Sequence, residues 1–151
     1  RDHEAERHRV GRPEADVVVI DGDGSFQMTL QDLATAVENR LPIVVCILNN
    51  GYLGMVRQWQ EMFFDNRYAA VDLDVGTPDY VKLAEAFGAK GIRVKESAKV
   101  KPALDDALKS KVPVIIDFVG AREENVFPMV APGASLTDMI DPRTKKGGSS
   151  K

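Results

Sequence analysis

The stretch Gly22-Asp23-Gly24-Ser25 decides how this sequence is interpreted, because it directly follows the apolar run Val-Val-Val-Ile at residues 17–20. In the same way, Asn49-Asn50 follows a second apolar run at residues 43–48. Adjacent parallel strands lie only about 4.8 Å apart, so if the two runs pair, Asp23 and Asn50 can reach a common cation. Ligands of open α/β sheets bind at this carboxyl edge. We therefore predict one site between two strand ends.

Apolar, β-branched runs alternate with helical patterns along the chain. The runs predicted as strands are residues 17–20, 43–48, 92–94 and 114–119. Apolar residues spaced three and four apart predict helices over residues 30–37, 55–63 and 80–87, and a fourth helix is predicted over 98–109. Strands separated by helices form right-handed crossovers. The predicted fold class is α/β, a three-layer α/β/α arrangement with a mainly parallel sheet.

Three details of the predicted helices can be compared with the structure. Ser25 is placed to cap the first helix, and Gly88 to end the third. On the second helix, Met55, Trp59, Met62 and Phe63 have the spacing of an ordinary core face. For Met55 and Trp59, a core role is therefore the alternative to any role that a motif gives them.

The chain has 151 residues, of which 44% are hydrophobic, so one domain with a real core is expected. We place that domain at residues 15–140. Residues 1–14 are highly charged and have no apolar periodicity, so a disordered or atypical segment is predicted there. Residues 141–151, which end in Lys-Lys-Gly-Gly-Ser-Ser-Lys, are predicted to be a flexible tail.

Charge and cysteine content argue against several classes of protein. The net charge is −3 without a basic stripe, so neither nucleic acid nor a membrane surface is an expected partner. No apolar run approaches the eighteen or so residues of a membrane span. The single cysteine, Cys46, lies inside an apolar run and is predicted to be a buried core residue. Because it has no intrachain partner, a soluble, cytoplasmic protein is expected.

The glycine turn favours a phosphate. Gly22 and Gly24 allow backbone N–H groups to approach an anion, and the helix that follows directs its positive end there. Asp23 and Asn50 supply hard oxygen ligands, which suit Mg²⁺ shared with a diphosphate. Alone, the glycine turn would indicate only a tight turn, and Asn49-Asn50 only a strand-end cap. Their joint position at two strand ends favours the binding site.

Two other motifs compete for these residues. Asp21 to Ser25 resembles the nucleophile turn of haloacid-dehalogenase-type phosphatases, but the later strand end at residues 117–120 lacks the Gly-Asp pair that such enzymes need. We rank this interpretation well below the first. A calcium loop starting at Asp21 requires Gly at its sixth position and Glu at its twelfth. Phe26 and Asp32 stand there, so this loop is rejected.

Gly22-Asp23-Gly24 with Asn50 downstream resembles the diphosphate-binding signature of thiamine diphosphate enzymes. More narrowly, three stretches resemble the C-terminal cofactor domain of the catalytic large subunit of acetolactate synthase (acetohydroxyacid synthase). They are Gly-Asp-Gly-Ser-Phe-Gln-Met at 22–28, Leu-Asn-Asn-Gly-Tyr-Leu-Gly-Met-Val at 48–56 with Gln-Trp at 58–59, and Glu-Asn-Val-Phe-Pro-Met at 124–129. The resemblance runs from about residue 10 to residue 140 and implies the thiamine diphosphate-binding fold.

The resemblance implies roles for particular residues. Asp23 and Asn50 would bind Mg²⁺ through their side chains, and Tyr52 through its main-chain oxygen. Met55 would lie near the thiazolium ring, and Trp59 would line the channel for a second 2-oxo acid, so these two are the candidate catalytic residues. The implied cofactor-binding set is Gly22, Asp23, Gly24, Ser25, Asn50, Tyr52, Gly54 and Met55.

The implied reaction is the decarboxylation of pyruvate and its condensation with a second 2-oxo acid, in branched-chain amino acid biosynthesis. The implied cofactors are thiamine diphosphate and Mg²⁺, with FAD in the complete enzyme but not on this chain alone. A homodimer or higher oligomer and a possible regulatory subunit are the implied protein partners. The alternatives are another thiamine diphosphate-dependent decarboxylase or oxidase domain, or a non-catalytic assembly module that exposes Met62, Phe63 and Phe64.

The sequence departs from the family pattern upstream of the glycine turn. The family has a Gly-Leu-Gly-Thr-Met-Gly-like loop there, whose methionine supports the bent cofactor, whereas residues 1–8 here are highly charged. The glutamate that activates the aminopyrimidine, and the FAD domain, would belong to parts of the enzyme outside this chain. We therefore expect the isolated chain to be inactive and to bind diphosphate and Mg²⁺ weakly.

Overall fold

The structure is a computed structural model that describes residues 2–142, with side chains described from residue 4 onward. The predicted flexible tail, residues 141–151, therefore lies almost wholly outside the described residues. Among the described helices, none is long and apolar enough to cross a membrane.

A four-stranded parallel sheet lies at the centre of the described chain. Its strands are β1 (Val17–Gly22), β2 (Ile43–Asn49), β3 (Lys90–Val94) and β4 (Val114–Val119), and their order in the sheet is β1-β2-β4-β3. All four predicted strands are present, with shifts of two residues or fewer at their ends. β1 and β2 pair from Val17 with Ile43 to Gly22 with Leu48, so their carboxyl ends lie side by side.

Six α-helices are described between residues 2 and 142. They are α1 (Asp2–Gly11), α2 (Asp23–Gln27), α3 (Asp32–Glu38), α4 (Gly54–Phe63), α5 (Tyr80–Phe87) and α6 (Val100–Ala107). A short 3-10 helix, Ser97–Lys99, precedes α6, and a small antiparallel pair is formed by β5 (Met129–Val130) and β6 (Met139–Ile140). The three-layer α/β/α fold with a mainly parallel sheet is confirmed.

The two faces of the sheet bury separate cores. One face packs against α1, α2, α3 and α5, with Phe26, Ile47 and Tyr80 among its buried side chains. The other face packs mainly against α6, with Cys46 and Ile116 among its buried side chains. Cys46 is free and buried, as predicted.

The first predicted helix is divided into two, and the prediction for Ser25 is wrong. Ser25 lies inside the five-residue helix α2, and the N-cap is Gly22, which makes no side-chain capping bond. Between α2 and α3 the backbone N–H groups of Met28, Thr29 and Asp32 bond three residues back, which is the tighter 3-10 pattern. The helix dipole after the glycine turn is therefore that of a single turn.

The prediction for residues 1–14 also differs from the structure, because α1 occupies most of this segment. Ala5 is buried in the core beneath β1, while Glu4, Arg7 and His8 are exposed. The segment is rich in Ala, Glu and Arg, which favour helix without needing an apolar stripe. Of the side chains described in α1, Ala5 is the one that is buried against the sheet.

The capping prediction for α5 is confirmed. Gly88 ends the helix in the left-handed conformation, with φ of 86°. At the other end Asp79 is the N-cap, and its carboxylate accepts hydrogen bonds from the backbone N–H groups of Val81 and Lys82.

Candidate functional site

Asp23 joins the two turns that follow β1 and β2. Its Oδ1 accepts a hydrogen bond from the backbone N–H of Gly24 at 2.7 Å, and its Oδ2 accepts one from Gly51 N–H at 2.7 Å. The side chain is only 3% exposed. Because Gly51 directly follows Asn50, the structure brings the two strand-end motifs to the same edge of the sheet.

Two glycines give the turn around Asn50 its shape. Gly51 has φ of 69°, and an added Cβ would collide with Oδ1 of Asp74. At Gly54 an added Cβ would lie 3.2 Å from the amide nitrogen of Asn50. The Asn50 Oδ1 accepts a hydrogen bond from the N–H of Tyr52 at 3.1 Å. The turn thus keeps the Asn50 side chain close to its own backbone.

Tyr52 is held through both its backbone and its side chain. Its backbone pairs with Asp72 in an isolated antiparallel bridge. The guanidinium of Arg122 lies 4.3 Å from the centroid of the Tyr52 ring, and Arg122 also pairs with Asp72 and Asp74. The main chain at Tyr52, which was predicted to supply a metal ligand, is therefore fixed by residues of two later segments.

A cleft of about 720 Å³ opens at this edge of the sheet. All eight residues of the predicted cofactor-binding set line it: Gly22, Asp23, Gly24, Ser25, Asn50, Tyr52, Gly54 and Met55. Trp59 lies outside the cleft, in an adjoining shallow depression that it shares with Met55 and Val56. The opposite wall, residues 94–97 and 118–121, was not anticipated, because short loops after β3 and β4 carry no motif.

The structure does not support a core role, the alternative considered for Met55 and Trp59, for the apolar stripe of α4 as a whole. Met55 is 48% exposed and Phe63 is 38% exposed, whereas Arg57 and Gln58 are buried, with only 3% and 1% of their surface exposed. Trp59 is half-buried and packs its ring edge-on against Phe63, with 5.7 Å between the centroids. The helix is present as predicted, but it turns its polar side inward.

The segment 123–129 explains this orientation, because it supplies polar partners to α4. The Gln58 side chain donates to the carbonyl of Val126 at 2.9 Å and accepts from its N–H at 2.8 Å. Arg57 pairs with Glu61 at 2.6 Å and also donates to the side chain of Asn125. Buried polar groups are tolerated when every one is bonded. No sequence pattern marks this pairing, since the two segments are 68 residues apart.

The chemistry of the donor set fits a magnesium–diphosphate group better than a transition metal. Among residues 2–142, no three His, Cys, Asp or Glu side chains cluster as a metal site. The oxygens at the cleft come instead from one buried carboxylate, one amide and main-chain groups. Mg²⁺ is commonly held by one or two carboxylates together with phosphate oxygens and water. Gly22 leaves room beside this set, where an added Cβ would lie 3.9 Å from the Ser25 hydroxyl, whereas at Gly24 the side chains of Leu53 and Leu73 pack against the backbone.

Comparison with known proteins agrees with this geometry. Residues 5–118 match the family described as thiamine pyrophosphate enzyme, C-terminal TPP binding domain. The acetolactate synthase of Arthrospira platensis is 44% identical over 132 residues, which are 87% of this chain and 23% of that protein. The acetolactate synthase of Mycobacterium leprae (strain TN) is 48% identical over 131 residues, 84% of this chain and 21% of that protein.

A solved structure shares the fold. The thiamine diphosphate-dependent 4-hydroxybenzoylformate decarboxylase of Rhodococcus jostii RHA1 aligns with a TM-score of 0.68 and 28% identity, over 77% of this chain and 21% of that chain. This chain thus spans less than a quarter of the length of these relatives. The predicted resemblance to acetolactate synthase is confirmed. The chain belongs to the thiamine pyrophosphate enzymes, through their C-terminal TPP binding domain.

Proposed function

We propose that this chain is the C-terminal cofactor domain of an acetolactate synthase and that it binds Mg²⁺ and the diphosphate of thiamine diphosphate. The observation that carries the proposal is the Asp23 carboxylate, which is buried and bridges the turns after β1 and β2. This bridge places an acidic oxygen, the Asn50 amide and the backbone of two glycine-rich turns in one cleft. The relatives of 42–48% identity, all named acetolactate synthase, favour this family member over others.

In the proposed site, Asp23, the side-chain oxygen of Asn50 and the main-chain oxygen of Tyr52 hold Mg²⁺. Each Asp23 oxygen already accepts one backbone N–H, which fixes the carboxylate before any ion binds. A carboxylate oxygen has a second lone pair for a cation. The site is therefore pre-organised on the protein side, and ion binding need not pay to order Asp23.

Gly22, Gly24 and Ser25 hold the diphosphate in this proposal, beside the Mg²⁺ ion. Gly22 is the N-cap of α2 and makes no side-chain capping bond. The Ser25 side chain is exposed at the cleft, where its hydroxyl can donate to a phosphate oxygen. Gly54 contributes by leaving room for the Asn50 amide.

Met55 and Trp59 face outward from α4 and are the proposed contacts for the reacting part of the cofactor and for the second substrate. Met55 is exposed, and the half-buried Trp59 lines the surface depression beside it, which supports this role better than a core role because exposed apolar surface indicates a binding site. The bound cofactor supplies the electron sink that decarboxylation requires. The chain's own residues bind and orient it.

The activity of the whole enzyme is part of the proposal. The complete enzyme would decarboxylate pyruvate and join the product to a second 2-oxo acid. This reaction would take place in the cytoplasm, as a step towards branched-chain amino acids. The complete protein would carry FAD, form a homodimer or higher oligomer and accept a regulatory subunit. Since this chain corresponds to less than a quarter of its relatives, we expect it to be inactive alone.

Isothermal titration of the chain with thiamine diphosphate and Mg²⁺ tests the binding proposal. We expect a Kd in about the micromolar to millimolar range, that is about −8 to −4 kcal/mol. Asp23→Ala should weaken binding by more than the 10- to 100-fold typical of an outer-shell change. Asp106→Asn, at an exposed ion pair with Lys90, is the control and should bind like the wild type. Sub-micromolar binding with acetolactate formation by this chain alone would contradict the expectation that it binds the cofactor weakly and is inactive without the rest of the enzyme.

A chimaera tests the activity. Residues 10–140 replace the matching part of the Arthrospira platensis acetolactate synthase, which is 44% identical to this chain. We expect the chimaera to form acetolactate from pyruvate and to lose this activity on Asp23→Ala. A chimaera that folds and binds the cofactor but decarboxylates only other 2-oxo acids would indicate a different thiamine diphosphate decarboxylase.

A second candidate function, a non-catalytic assembly module, is favoured by the exposed apolar side of α4. Met55, Val56, Phe63 and Phe64 are each more than a third exposed on this helix or directly after it. Size-exclusion chromatography with and without cofactor separates the two functions. A dimer that forms only with thiamine diphosphate and Mg²⁺ supports the enzyme domain, whereas a dimer independent of both supports the assembly module.

A further inference from the structure

The start of α5 contacts the turn that holds Asp23. The hydroxyl of Tyr80, the first residue of this helix, donates to the main-chain oxygen of Asp23 at 2.8 Å. Tyr80 is fully buried, and its ring packs edge-on against Phe26 with 5.7 Å between the centroids. Burial, and then the nearby Asp23 charge, raise the pKa of Tyr80.

A second set of bonds runs from the start of α5 to the turn that holds Asn50. The Asn49 side-chain amide donates to Oδ1 of Asp117 on β4 at 2.9 Å. Arg93 on β3 donates its Nε to Oδ2 of Asp117 at 2.9 Å and its Nη2 to Asp79, the N-cap of α5, at 2.7 Å. This path reaches Asn49, the neighbour of Asn50, without passing through Tyr80.

The burial of Asp117 requires an explanation beyond packing. The residue is 1% exposed in the middle of an apolar sheet, where a buried charge is costly even when it is paired. An aliphatic side chain would fill this position without that cost. Asp117 uses one oxygen for Asn49 and the other for Arg93, so its bonds fix the Asn49 side chain.

We propose that Tyr80, Arg93 and Asp117 are positioning residues that set the spacing between the Asp23 turn and the Asn50 turn. They hold both turns to one rigid reference, the start of α5, before a ligand binds. The identity of that ligand, a divalent cation with a diphosphate, rests on the proposed function. Outer partners of this kind orient metal ligands and tune affinity.

Amide hydrogen exchange by NMR on the full chain tests the proposal without a ligand. The informative amides are Gly24 and Gly51, because both donate to the Asp23 carboxylate. Tyr80→Phe removes one hydroxyl and keeps the ring, and Asp117→Asn removes one charge and keeps the shape. Each should speed exchange at these amides about fivefold or more, the equivalent of one hydrogen bond of about 1 kcal/mol. Exchange at Cys46 and Ile116, in the sheet core, reports global stability.

Binding of Mn²⁺ with thiamine diphosphate, followed by electron paramagnetic resonance, is the second readout. Each variant should lose about 10- to 100-fold in Mn²⁺ affinity, as outer-partner changes do, while Asp106→Asn should lose nothing. Equal acceleration at all amides, or none at Gly24 and Gly51, overturns the positioning role. If the two amides respond as expected but the wild type binds no Mn²⁺, the positioning role stands and the proposed function falls.

Discussion

α4 and α5 have the same spacing of apolar residues, but α5 buries its apolar side and α4 buries its polar side. In α5 the apolar side faces the sheet, with Tyr80 and Ala84 completely buried. In α4 the apolar side is half-buried to exposed, with Met55 48% exposed, and Arg57 and Gln58 are buried instead. The difference shows that periodicity identifies a helix, whereas the partner of the helix decides which side is covered. α5 packs on strands, and α4 packs on a polar loop segment.

The inverted orientation of α4 leads to the largest expected effect. Gln58→Leu keeps the volume of this buried side chain but removes both of its hydrogen bonds to the backbone of Val126, at about 0.5–1.5 kcal/mol for each bond. We expect the free energy of unfolding in urea to fall by up to about 3 kcal/mol. Gln60→Leu is a matched control, because Gln60 makes the same two bonds to the exposed backbone of Ala69. Equal losses for the two variants would contradict the buried role of Gln58.

The close packing of α5 on the sheet predicts the next effect. An added Cβ at Gly91 on β3 would lie 2.7 Å from the Cα and the carbonyl oxygen of Val81. Gly91→Ala should therefore push α5 away and cost about 2 kcal/mol, as overpacking does. Gly76→Ala, which meets no atom within 4 Å, should leave the thermal midpoint unchanged or raise it slightly. A neutral Gly91→Ala would show that α5 is free to shift.

The N-caps of the two helices predict a smaller, pH-dependent effect. Asp79 caps α5, whereas Leu53 at the start of α4 makes no side-chain capping bond. Arg93, followed by the Lys82 backbone N–H, lowers the pKa of Asp79. The stability that the Asp79 carboxylate contributes is therefore complete above its pKa in the unfolded chain, about 3.9. It disappears as the pH falls through the lowered pKa of the folded state.

Thermal unfolding at several pH values measures this contribution. Asp79→Ala should cost about 1 kcal/mol at pH 7, and the difference from the wild type should shrink below about pH 4. Glu85→Gln, which removes an exposed carboxylate from the same helix without touching the cap, is the control. A difference that stays constant down to pH 2 would argue against the capping carboxylate as its source.

The exposed side of α4 predicts the smallest effect. Val56 is 48% exposed, so Val56→Ser should change the free energy of unfolding by no more than about 0.5 kcal/mol. Leu83→Ser, at a side chain of α5 that packs against the core, should cost about 2 kcal/mol. Chemical denaturation of both variants makes the comparison. A large loss for Val56→Ser would mean that the apolar side of α4 is covered in the isolated chain.

Much of the sheet and of the cleft could be predicted from the sequence, since both depend on local pattern. Continuous apolar runs mark buried parallel strands, and residues directly after them must lie at the carboxyl edge. What could not be predicted depends on partners distant in the chain. The hydroxyl of Tyr80 bonds a residue 57 positions earlier, and Gln58 bonds one 68 positions later. The division of α2 from α3 was missed because a 3-10 connection keeps nearly the same apolar spacing.

The order β1-β2-β4-β3 has a consequence for the synthesis of this chain. The last strand of the four-stranded sheet to be made, β4, enters its middle between β2 and β3, and both of its faces are covered. Until residue 119 has left the ribosome, β2 and β3 each present an unpaired edge to other chains. A nascent or cleaved chain that stops before Val114 therefore keeps the β1–β2 pair that carries the glycine turn and the asparagines. It leaves one edge of β2 unpaired and β3 without its partner strand, so it is a ready substrate for chaperones and proteases.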